Sequence, residues 1–199
     1  GTSVLIAPSS ASATSRTCEG KRATIVSSKS VIRGTSGRDV IVVRGSGRHI
    51  IRGGSGNDII CGSTGADVIV GGPGADHIFG GGGADSIDGG AGNDRMEGDD
   101  GEDYVDGGDG NDVLRGGAAS AVLLGGDGND ALTAQGRGLF DRYEGIAGGH
   151  DVFDGGAGDD SVEDIAFDAN NFSGFYLNAD ALFQLDGGSG FDTLSADFS

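Results

Sequence analysis

A single apolar residue recurs at every ninth position through the middle of the chain. Consecutive nine-residue blocks run without a gap from 44 to 133, and the eighth position of each is apolar. These residues are Ile51, Ile60, Ile69, Ile78, Ile87, Met96, Val105, Leu114, Leu123 and Leu132. Such a block is too short for a useful helix, but it accommodates a six-residue turn and a three-residue strand whose middle side chain points inward. The pattern therefore predicts an all-β chain in which two blocks make one full coil.

Glycine and aspartate occupy other fixed positions of the same blocks. Position 1 is Gly except at Arg44, position 4 is Gly except at Ala119, and position 6 is Asp except at His49 and Ala121. The block thus reads Gly-Gly-x-Gly-x-Asp-x-apolar-x. Glycine allows the positive-φ backbone of tight stacked turns, at an entropic cost of roughly 0.5–1 kcal/mol each relative to Ala. The 43 Gly residues of the chain therefore indicate a repeated turn.

The chain is strongly acidic, which excludes several classes of partner. It has 31 Asp and Glu against 13 Lys and Arg, for a formal net charge of −18 and a pI near 4.1. This charge repels both phosphate backbones and anionic lipid surfaces. No apolar run approaches the length of a membrane-spanning helix. We therefore expect neither a nucleic-acid partner nor membrane insertion.

Stacked aspartates require a counter-charge. Carboxylates about 4.8 Å apart repel strongly unless they are neutralised. Carboxylate and turned-in carbonyl oxygens are the ligands that Ca²⁺ prefers, six to eight at a time, whereas Mg²⁺ demands stricter octahedral geometry. Zinc would require clusters of His and Cys, and the three His residues are scattered. Calcium is therefore the predicted partner.

Two blocks show the complete motif. Residues 53–61 read Gly-Gly-Ser-Gly-Asn-Asp-Ile-Ile-Cys, and 107–115 read Gly-Gly-Asp-Gly-Asn-Asp-Val-Leu-Arg. They resemble the RTX, or haemolysin-type, calcium-binding nonapeptide repeats, and the resemblance covers 34–133 and, in pieces, 146–195. It implies a right-handed parallel β-roll, a two-sheet β-solenoid. In that family each metal lies between a loop and the next loop on the same side, held by position-6 Asp residues and loop carbonyls.

The resemblance implies two columns of metal ligands, because successive blocks alternate sides. The complete column contains Asp39, Asp58, Asp76, Asp94, Asp112 and Asp130, and the other contains Asp67, Asp85 and Asp103 between His49 and Ala121. The extra residue Val43 lengthens the first spacing of the complete column. Five ions in that column and two in the other give about seven in 34–133. We interpret His49 as a surface residue at the start of its column rather than as a ligand.

The remaining segments are assigned around the repeat. The domains predicted are a residual signal-peptide tail at 1–13, an N-terminal cap at 14–33, the calcium-binding β-roll at 34–133, and a C-terminal part at 134–199. The tail assignment rests on the apolar run Val-Leu-Ile-Ala at 4–7 and an Ala-Ser-Ala step at 11–13. The C-terminal part carries degenerate repeats at 146–163 and 187–195, which add Asp151, Asp160 and Asp192 as candidate ligands and allow further ions.

An aromatic insert at 164–186 interrupts the degenerate repeats. It contains five of the twelve aromatic residues, namely Phe167, Phe172, Phe175, Tyr176 and Phe183. Solenoids need atypical ends that hide the apolar column, so a terminal cap is the simplest role of this insert. A partner-binding patch is the alternative.

Two cysteines, Cys18 and Cys61, indicate an oxidising compartment if they form one disulfide. The alternative is two unrelated thiols. A bridge would close a loop worth about 4 kcal/mol in the chain-entropy model. It would pin the N-terminal cap against the side of the roll, since Cys61 is at an outward position. Residues 17–33 are then expected to cover the outward apolar residues Val40, Val42, Ile59 and Val70 in part.

The sequence carries no recognised catalytic motif: neither metalloprotease, nucleophile-elbow nor phosphate-binding patterns occur. We therefore expect a secreted, stand-alone calcium-binding protein, not an enzyme, whose folding is coupled to Ca²⁺ binding. The alternative is the non-catalytic module of a larger secreted enzyme such as a protease, lipase or alginate epimerase. An ice-binding roll would need an outward row of Thr or Asn at position 3, and no such row exists.

Overall fold

Two parallel sheets built from alternate strands make up the roll. The structure is a computed structural model that describes residues 17–117, 119 and 121–133, and the backbone of strands within 152–197. Every regular element described is a strand, and the strands alternate between the two sheets along the chain. The predicted all-β class and parallel β-roll are confirmed. Among the residues described, no helix has the length and apolarity needed to cross a membrane.

The first sheet, called sheet I, has nine strands in the described part of the chain. Its members are β3 (Ile25–Ser27), β5 (Val40–Val43), β7 (Ile59–Cys61), β9 (His77–Phe79), β11 (Arg95–Glu97), β13 (Val113–Arg115), β15 (Ala131–Thr133), β17 (Ser161–Ala166) and β19 (Thr193–Asp197).

The second sheet, called sheet II, has eight strands among the residues that the structure describes. Its members are β4 (Val31–Arg33), β6 (Ile50–Arg52), β8 (Val68–Pro73), β10 (Ser86–Ala91), β12 (Asp103–Asp109), β14 (Ala121–Asp127), β16 (Val152–Asp154) and β18 (Gln184–Asp186).

The register of each sheet follows the repeat. Met96 pairs with Ile78 on one side and Leu114 on the other, and Ile87 pairs with Ile69 and Val105. Each position-8 residue thus stacks on its counterpart one coil away. Because successive side chains of a strand point to opposite faces, only this middle residue of a short strand turns inward. The two sheets therefore bury one continuous apolar column.

That column is fully enclosed. All ten position-8 residues between Ile51 and Leu132 are at most 1% exposed, and they form one cluster with Ile32, Ile41 and Val43. The extra residue Val43 extends β5 to four residues, every one of them buried. The insertion that lengthens the first spacing is therefore absorbed in the core.

The segment predicted as an N-terminal cap contributes to both sheets. β3 and β4 pair in parallel with β5 and β6, and Ile32 joins the central cluster. Ahead of them, β1 (Thr17–Cys18) and β2 (Lys21–Arg22) form a two-residue antiparallel hairpin. The stacked strands thus begin before the first nonapeptide block.

The hairpin covers part of the outer face of sheet I. Cys18 is buried with Val40, Val42 and Ile59 in a second apolar cluster. It forms a disulfide with Cys61, with a Cα–Cα distance of 5.8 Å. The predicted bridge is present, so the alternative of two unrelated thiols is wrong. Val70 lies in sheet II and is not part of this cluster.

The degenerate repeats continue the two sheets. β16 and β18 extend sheet II beyond β14, while β17 and β19 extend sheet I beyond β15. β18 uses the last three residues of the predicted aromatic insert. The five aromatic residues of that insert and the signal-like tail at 1–13 lie outside the described residues.

Stacking of the turns depends on glycine at specific points, of which Gly110 is an example. Its φ is +138°, and a Cβ built there would overlap the carbonyl oxygen of Gly92 in the preceding coil. Gly47 holds the same position of the first block, but a Cβ there would meet nothing within 4 Å. The two glycines share a motif position but differ in surroundings and in backbone conformation, since Gly47 does not have a φ in the left-handed range.

We predict that Gly110→Ala lowers the free energy of unfolding of the calcium-loaded chain by about 2 kcal/mol or more, because both the backbone conformation and the close approach exclude a Cβ. Gly47→Ala is the matched control and should change it by less than about 0.5 kcal/mol. Urea denaturation followed by circular dichroism measures both. Equal losses would contradict this account of the turns.

Candidate metal centre

Each candidate aspartate ends a turn, at the point where the next strand begins. Asp94 directly precedes β11, and Asp103 is the first residue of β12. The side chains of these aspartates lie beneath the turn rather than in solvent. All nine candidates in the described part are at most 5% exposed: Asp39, Asp58, Asp67, Asp76, Asp85, Asp94, Asp103, Asp112 and Asp130.

One oxygen of each carboxylate accepts a hydrogen bond from the coil before it. The backbone N–H of Asp76 donates to Oδ1 of Asp94 at 2.7 Å, and the N–H of Asp94 donates to Oδ1 of Asp112 at 2.7 Å. In the other column, the N–H of Asp85 donates to Oδ1 of Asp103 at 2.9 Å. The structure therefore brings the aspartates into the two continuous ladders that the sequence spacing predicts.

The second oxygen is buried without a donor in six of these aspartates. Among the described residues, no hydrogen-bond partner reaches Oδ2 of Asp58, Asp76, Asp94 and Asp112 in one column or of Asp85 and Asp103 in the other. An unsatisfied buried polar atom costs roughly 1–3 kcal/mol, and more when it is charged. Six such atoms in two regular rows are typical of oxygen ligands for a cation rather than of a local defect.

A backbone oxygen faces each of these carboxylates. A Cβ built on Gly89 would lie 2.6 Å from Oδ2 of Asp94 and 2.6 Å from the carbonyl oxygen of Gly107. Gly71 has the same surroundings with Asp76 and the carbonyl of Gly89. Each position-1 glycine thus leaves a small space between a carboxylate oxygen and a carbonyl oxygen of the next coil, because glycine has no side chain to fill it. We call this space a cradle. The cradles at Gly53, Gly80, Gly98 and Gly107 repeat the arrangement.

The first aspartate of the complete column differs from those that follow. Oδ2 of Asp39 accepts hydrogen bonds from the backbone N–H of Thr35 at 2.7 Å and from its hydroxyl at 2.8 Å. Oδ1 accepts a third from the hydroxyl of Thr24 at 2.9 Å. Both oxygens are therefore satisfied by protein groups.

The first aspartate of the other column is satisfied in the same manner. Oδ2 of Asp67 accepts from the backbone N–H of Ser63 at 2.8 Å, and Oδ1 accepts from the N–H of His49 at 2.8 Å. Nδ1 of the His49 ring lies 2.9 Å from the same Oδ1. Since a carboxylate only accepts, Nδ1 carries a hydrogen in this contact.

The prediction that His49 is a surface residue was wrong. Its side chain is buried at 5% exposure, because the ring folds under the turn to meet Asp67. Ser63 Oγ lies 3.3 Å from Nδ1 as well. In a nucleophilic triad the hydroxyl and the carboxylate contact opposite ring nitrogens. Here they share one, so the cluster has the geometry of a structural cap and not of a Ser-His-Asp triad.

The last described members of the two columns are Ala121 and Asp130. Ala121 is buried at the start of β14, where its column has lost the carboxylate. Asp130 accepts the N–H of Asp112 on Oδ1 at 2.7 Å and is the last described member of its ladder. The candidates Asp151, Asp160 and Asp192 lie outside the described residues.

The donor set fits calcium better than zinc. Within the described ranges, no three His, Cys, Asp or Glu side chains converge as a metal-binding group, because each coil supplies one carboxylate to each column. The other ligands must then be backbone oxygens, such as the carbonyl that faces each cradle. Ca²⁺ accepts an all-oxygen shell of this mixed kind with flexible geometry. The residues present therefore fit the ion that the sequence predicts.

Without a cation the ladder resists ionisation. Burial raises the pKa of Asp85 and Asp94 to about 7 and of Asp76 and Asp103 to about 6, and charge repulsion from neighbouring aspartates adds to this. Burial also raises the pKa of Asp58 and Asp112. It acts on Asp39 too, but the hydrogen bonds from Thr35 and Thr24 outweigh it, and the pKa of Asp39 is lowered.

A comparison with protein families decides the identity of the repeat. The model for the RTX calcium-binding nonapeptide repeat (4 copies) matches residues 45–69, 62–96, 88–120, 97–132 and 147–163, together more than half of the chain. This chain belongs to the RTX calcium-binding nonapeptide repeat family. Its repeats form a calcium-binding β-roll. A search of curated proteins finds no match.

The family match and the ladders coincide along the chain. Every RTX repeat matched between 45 and 132 contributes to the two sheets, and the match at 147–163 includes β16. That last match also spans Asp151 and Asp160, whereas Asp192 lies beyond every matched stretch.

The raised pKa values predict how pH acts on the metal-free and calcium-loaded RTX roll. A carboxyl whose folded-state pKa lies above its unfolded value contributes stability below the unfolded pKa of 3.8, and that stability is lost as pH rises through about 6–7. The calcium-free roll should therefore retain more β-structure at about pH 5.5 than at about pH 8.

Calcium binding should instead weaken as the pH falls, because protons compete with calcium for the same carboxylate oxygens. Its binding midpoint at about pH 5.5 should be about tenfold higher than at about pH 8. Circular dichroism of the chain at both pH values, in metal-free buffer and across a calcium titration, measures the two effects. A pH-independent midpoint would contradict the assignment of these carboxyls to the metal.

Proposed function

We propose that this chain is a secreted, stand-alone calcium-binding protein whose β-roll folds as calcium binds. One observation carries the proposal: six buried carboxylate oxygens have no donor, and each faces a cradle left by a position-1 glycine. The RTX family match supports calcium as the ion. The disulfide supports export, since such bonds persist in oxidising compartments.

The coupling follows from the cost of burying the carboxylates of the ladder. Each buried carboxylate must be either protonated or neutralised, and at neutral pH protons are too scarce to hold every one. Extracellular calcium modules bind at roughly 10⁻⁴–10⁻³ M. The metal sites do not exist in the unfolded chain, so the free energy of calcium binding contributes to folding. We therefore infer that the repeat segment stays largely unfolded in low-calcium cytosol and forms the roll outside the cell.

We assign the calcium ligands to the aspartates whose second oxygen lacks a donor. Asp58, Asp76, Asp94 and Asp112 would each hold an ion in one column, and Asp85 and Asp103 in the other, with the carbonyl of the next coil's position-1 glycine. These aspartates account for six ions, and Asp130, the last described member of its ladder, stays a candidate ligand. Asp39 and Asp67 are left out, because protein donors already occupy their oxygens.

We further propose that the chain acts by binding rather than by catalysis. The buried His49, Ser63 and Asp67 form a cap. His77 stacks on Phe79 with ring centroids 4.5 Å apart and contacts Glu19 at 3.1 Å, which joins the hairpin to sheet I. Both histidines therefore have structural roles.

A calcium titration of the full chain tests the proposal. Far-ultraviolet circular dichroism should change from a mostly disordered spectrum in chelator to a β-sheet spectrum with a midpoint of about 0.1–1 mM calcium. Magnesium at about 5 mM should fail to replace it. A complete β-sheet spectrum in chelator at neutral pH would rule out coupled folding.

A pair of variants tests the ligand assignment. Asp94→Asn keeps the side-chain volume and removes the charge from the middle of the ladder, so it should raise the calcium midpoint about tenfold, or ~1.4 kcal/mol. Asp88→Asn, six residues away on an exposed face, makes the same charge change and should shift the midpoint less than about twofold.

Asp39→Asn provides a second comparison within the ladder. Its effect should be smaller than that of Asp94→Asn, since Thr24 and Thr35 already satisfy Asp39. Equal shifts for Asp94→Asn and Asp88→Asn would show that overall charge, and not the ladder, controls binding.

A further inference from the structure

The outer face of sheet II carries an ordered pattern of charges that the calcium sites do not use. Two rows of side chains point away from the core along β4, β6, β8, β10 and β12, one coil apart. The first row is Val31, Ile50, Val68, Ser86 and Tyr104, and the second is Arg33, Arg52, Val70, Asp88 and Asp106. We call these ten residues the sheet II face.

The charges of the second row are segregated by sign. Arg33 pairs in register with Arg52, and Asp88 pairs with Asp106, so like charges are direct neighbours on adjacent strands. Neighbours of this kind repel and destabilise a sheet. Repulsion from Asp88 adds to burial in raising the pKa of Asp106. Among the residues described, none of these four charged side chains makes an ion pair.

Sheet I handles its outer charges differently. Glu97 lies between Arg95 and Arg115 and contacts both at 3.0 Å. The apolar part of that face is covered by the N-terminal hairpin through Cys18. The two outer faces therefore differ. Charged side chains on sheet I form ion pairs with one another, whereas the second row of sheet II has two Arg residues at one end and two Asp residues at the other.

Reversal of the sheet II face makes it complementary to itself. Two copies can face each other across a two-fold axis that lies in the plane of the face and runs parallel to β8. Each row then lies opposite the same row of the partner, and the strands of the partner follow in the reverse order. This arrangement sets Arg52 opposite Asp88 and Arg33 opposite Asp106, with Val70 opposite Val70. We propose that a second copy of this chain binds here, face to face and with its coil axis antiparallel, to form a symmetric dimer.

The first row supports the same arrangement. The axis sets Val31 opposite Tyr104, and both are exposed, at 39% and 43%. Val68 meets its own copy, and Ile50 meets Ser86. Each protomer thus contributes apolar contact beside the charged row, without a like-charge encounter anywhere on the face.

Long-range electrostatics favour the antiparallel orientation as well. Residues 1–52 hold nine of the 13 Lys and Arg but two of the 31 Asp and Glu. The rest of the chain is correspondingly acidic. Opposite charge distributions steer association and fix orientation more than they add affinity. An antiparallel pair places the basic start of each chain beside the acidic roll of its partner.

The contact area limits the affinity. Five strands at about 4.8 Å spacing cover about 24 Å along the coil axis, and the three residues of each strand that span the two rows add about 10 Å across it. This is below the size of standard stable interfaces, so the dimer belongs to the weak, salt-sensitive class. We expect association in the micromolar range at low ionic strength.

Sedimentation velocity of the calcium-loaded full chain tests the proposal. Between about 5 and 500 μM protein the chain should pass from monomer to dimer at about 20 mM salt, with at least tenfold weaker association at about 500 mM salt. A chain that stays monomeric at the highest concentration and lowest salt would overturn self-association and leave the face to a different partner.

Charge exchange identifies the surface. Arg33→Glu/Arg52→Glu and Asp88→Lys/Asp106→Lys should each weaken the dimer at least tenfold, because each makes the face uniform in sign. An equimolar mixture of the two variants should associate again, since their faces are complementary. A mixture that remains monomeric, or single variants that still dimerise, would overturn the proposal.

A matched control separates the face from overall charge. Arg38→Glu/Arg48→Glu makes the same change of charge at exposed turn positions off the face, and should leave the association constant within about twofold. The β-sheet spectrum of every variant in calcium shows whether its roll has formed. The dimer proposal and the calcium proposal can therefore be tested separately. Loss of the β-sheet spectrum shows that the roll of a variant has not formed, whereas loss of association in a folded roll reports on the sheet II face.

Discussion

The structure depends on how it accommodates buried carboxylates. In the stacked nonapeptide coils the position-6 aspartates turn under the strand, where from Asp58 onward one oxygen accepts a backbone hydrogen bond from the preceding coil. The same burial leaves the other oxygen without a donor in the middle of both columns. Protonation, protein donors or a cation are the available solutions. Glycine at position 1 keeps the space beside that oxygen free of a side chain, as the proposed cation requires.

The beginning of the roll uses protein donors instead. Asp39 is held by two threonines, and Asp67 by His49 and Ser63. The same region has the disulfide and the second apolar cluster under the hairpin. The proposed dependence on calcium therefore rises along the chain, because the start is stabilised by side-chain donors and a covalent bond that the middle lacks. The family match begins at 45, close to this change.

Much of this architecture could be predicted because the repeat is local. The inward row from Ile51 to Leu132 and the alternation of the blocks between two sides follow from spacing, and the bridge from Cys18 to Cys61 is one of the two alternatives that the cysteine count allows. The donors at the first aspartates do not. Thr24 reaches Asp39 from 15 residues away, and His49 reaches Asp67 from the coil before. Only the hydroxyl residues Thr35 and Ser63, which stand where most blocks have a second glycine, marked these loops as different. The charge order of the sheet II face likewise emerges only when Arg33 and Asp106 are placed on one row.

The most direct test is a crystal structure of the calcium-loaded chain with anomalous scattering from the bound ions. The account predicts two rows of calcium peaks, beside Oδ2 of Asp58, Asp76, Asp94 and Asp112 and beside Oδ2 of Asp85 and Asp103. No peak should lie at Asp39 or Asp67, where hydroxyl, amide and imidazole donors take the place of the ion. A closed roll whose middle aspartates have no calcium beside them would contradict the claim that cations hold the ladder together.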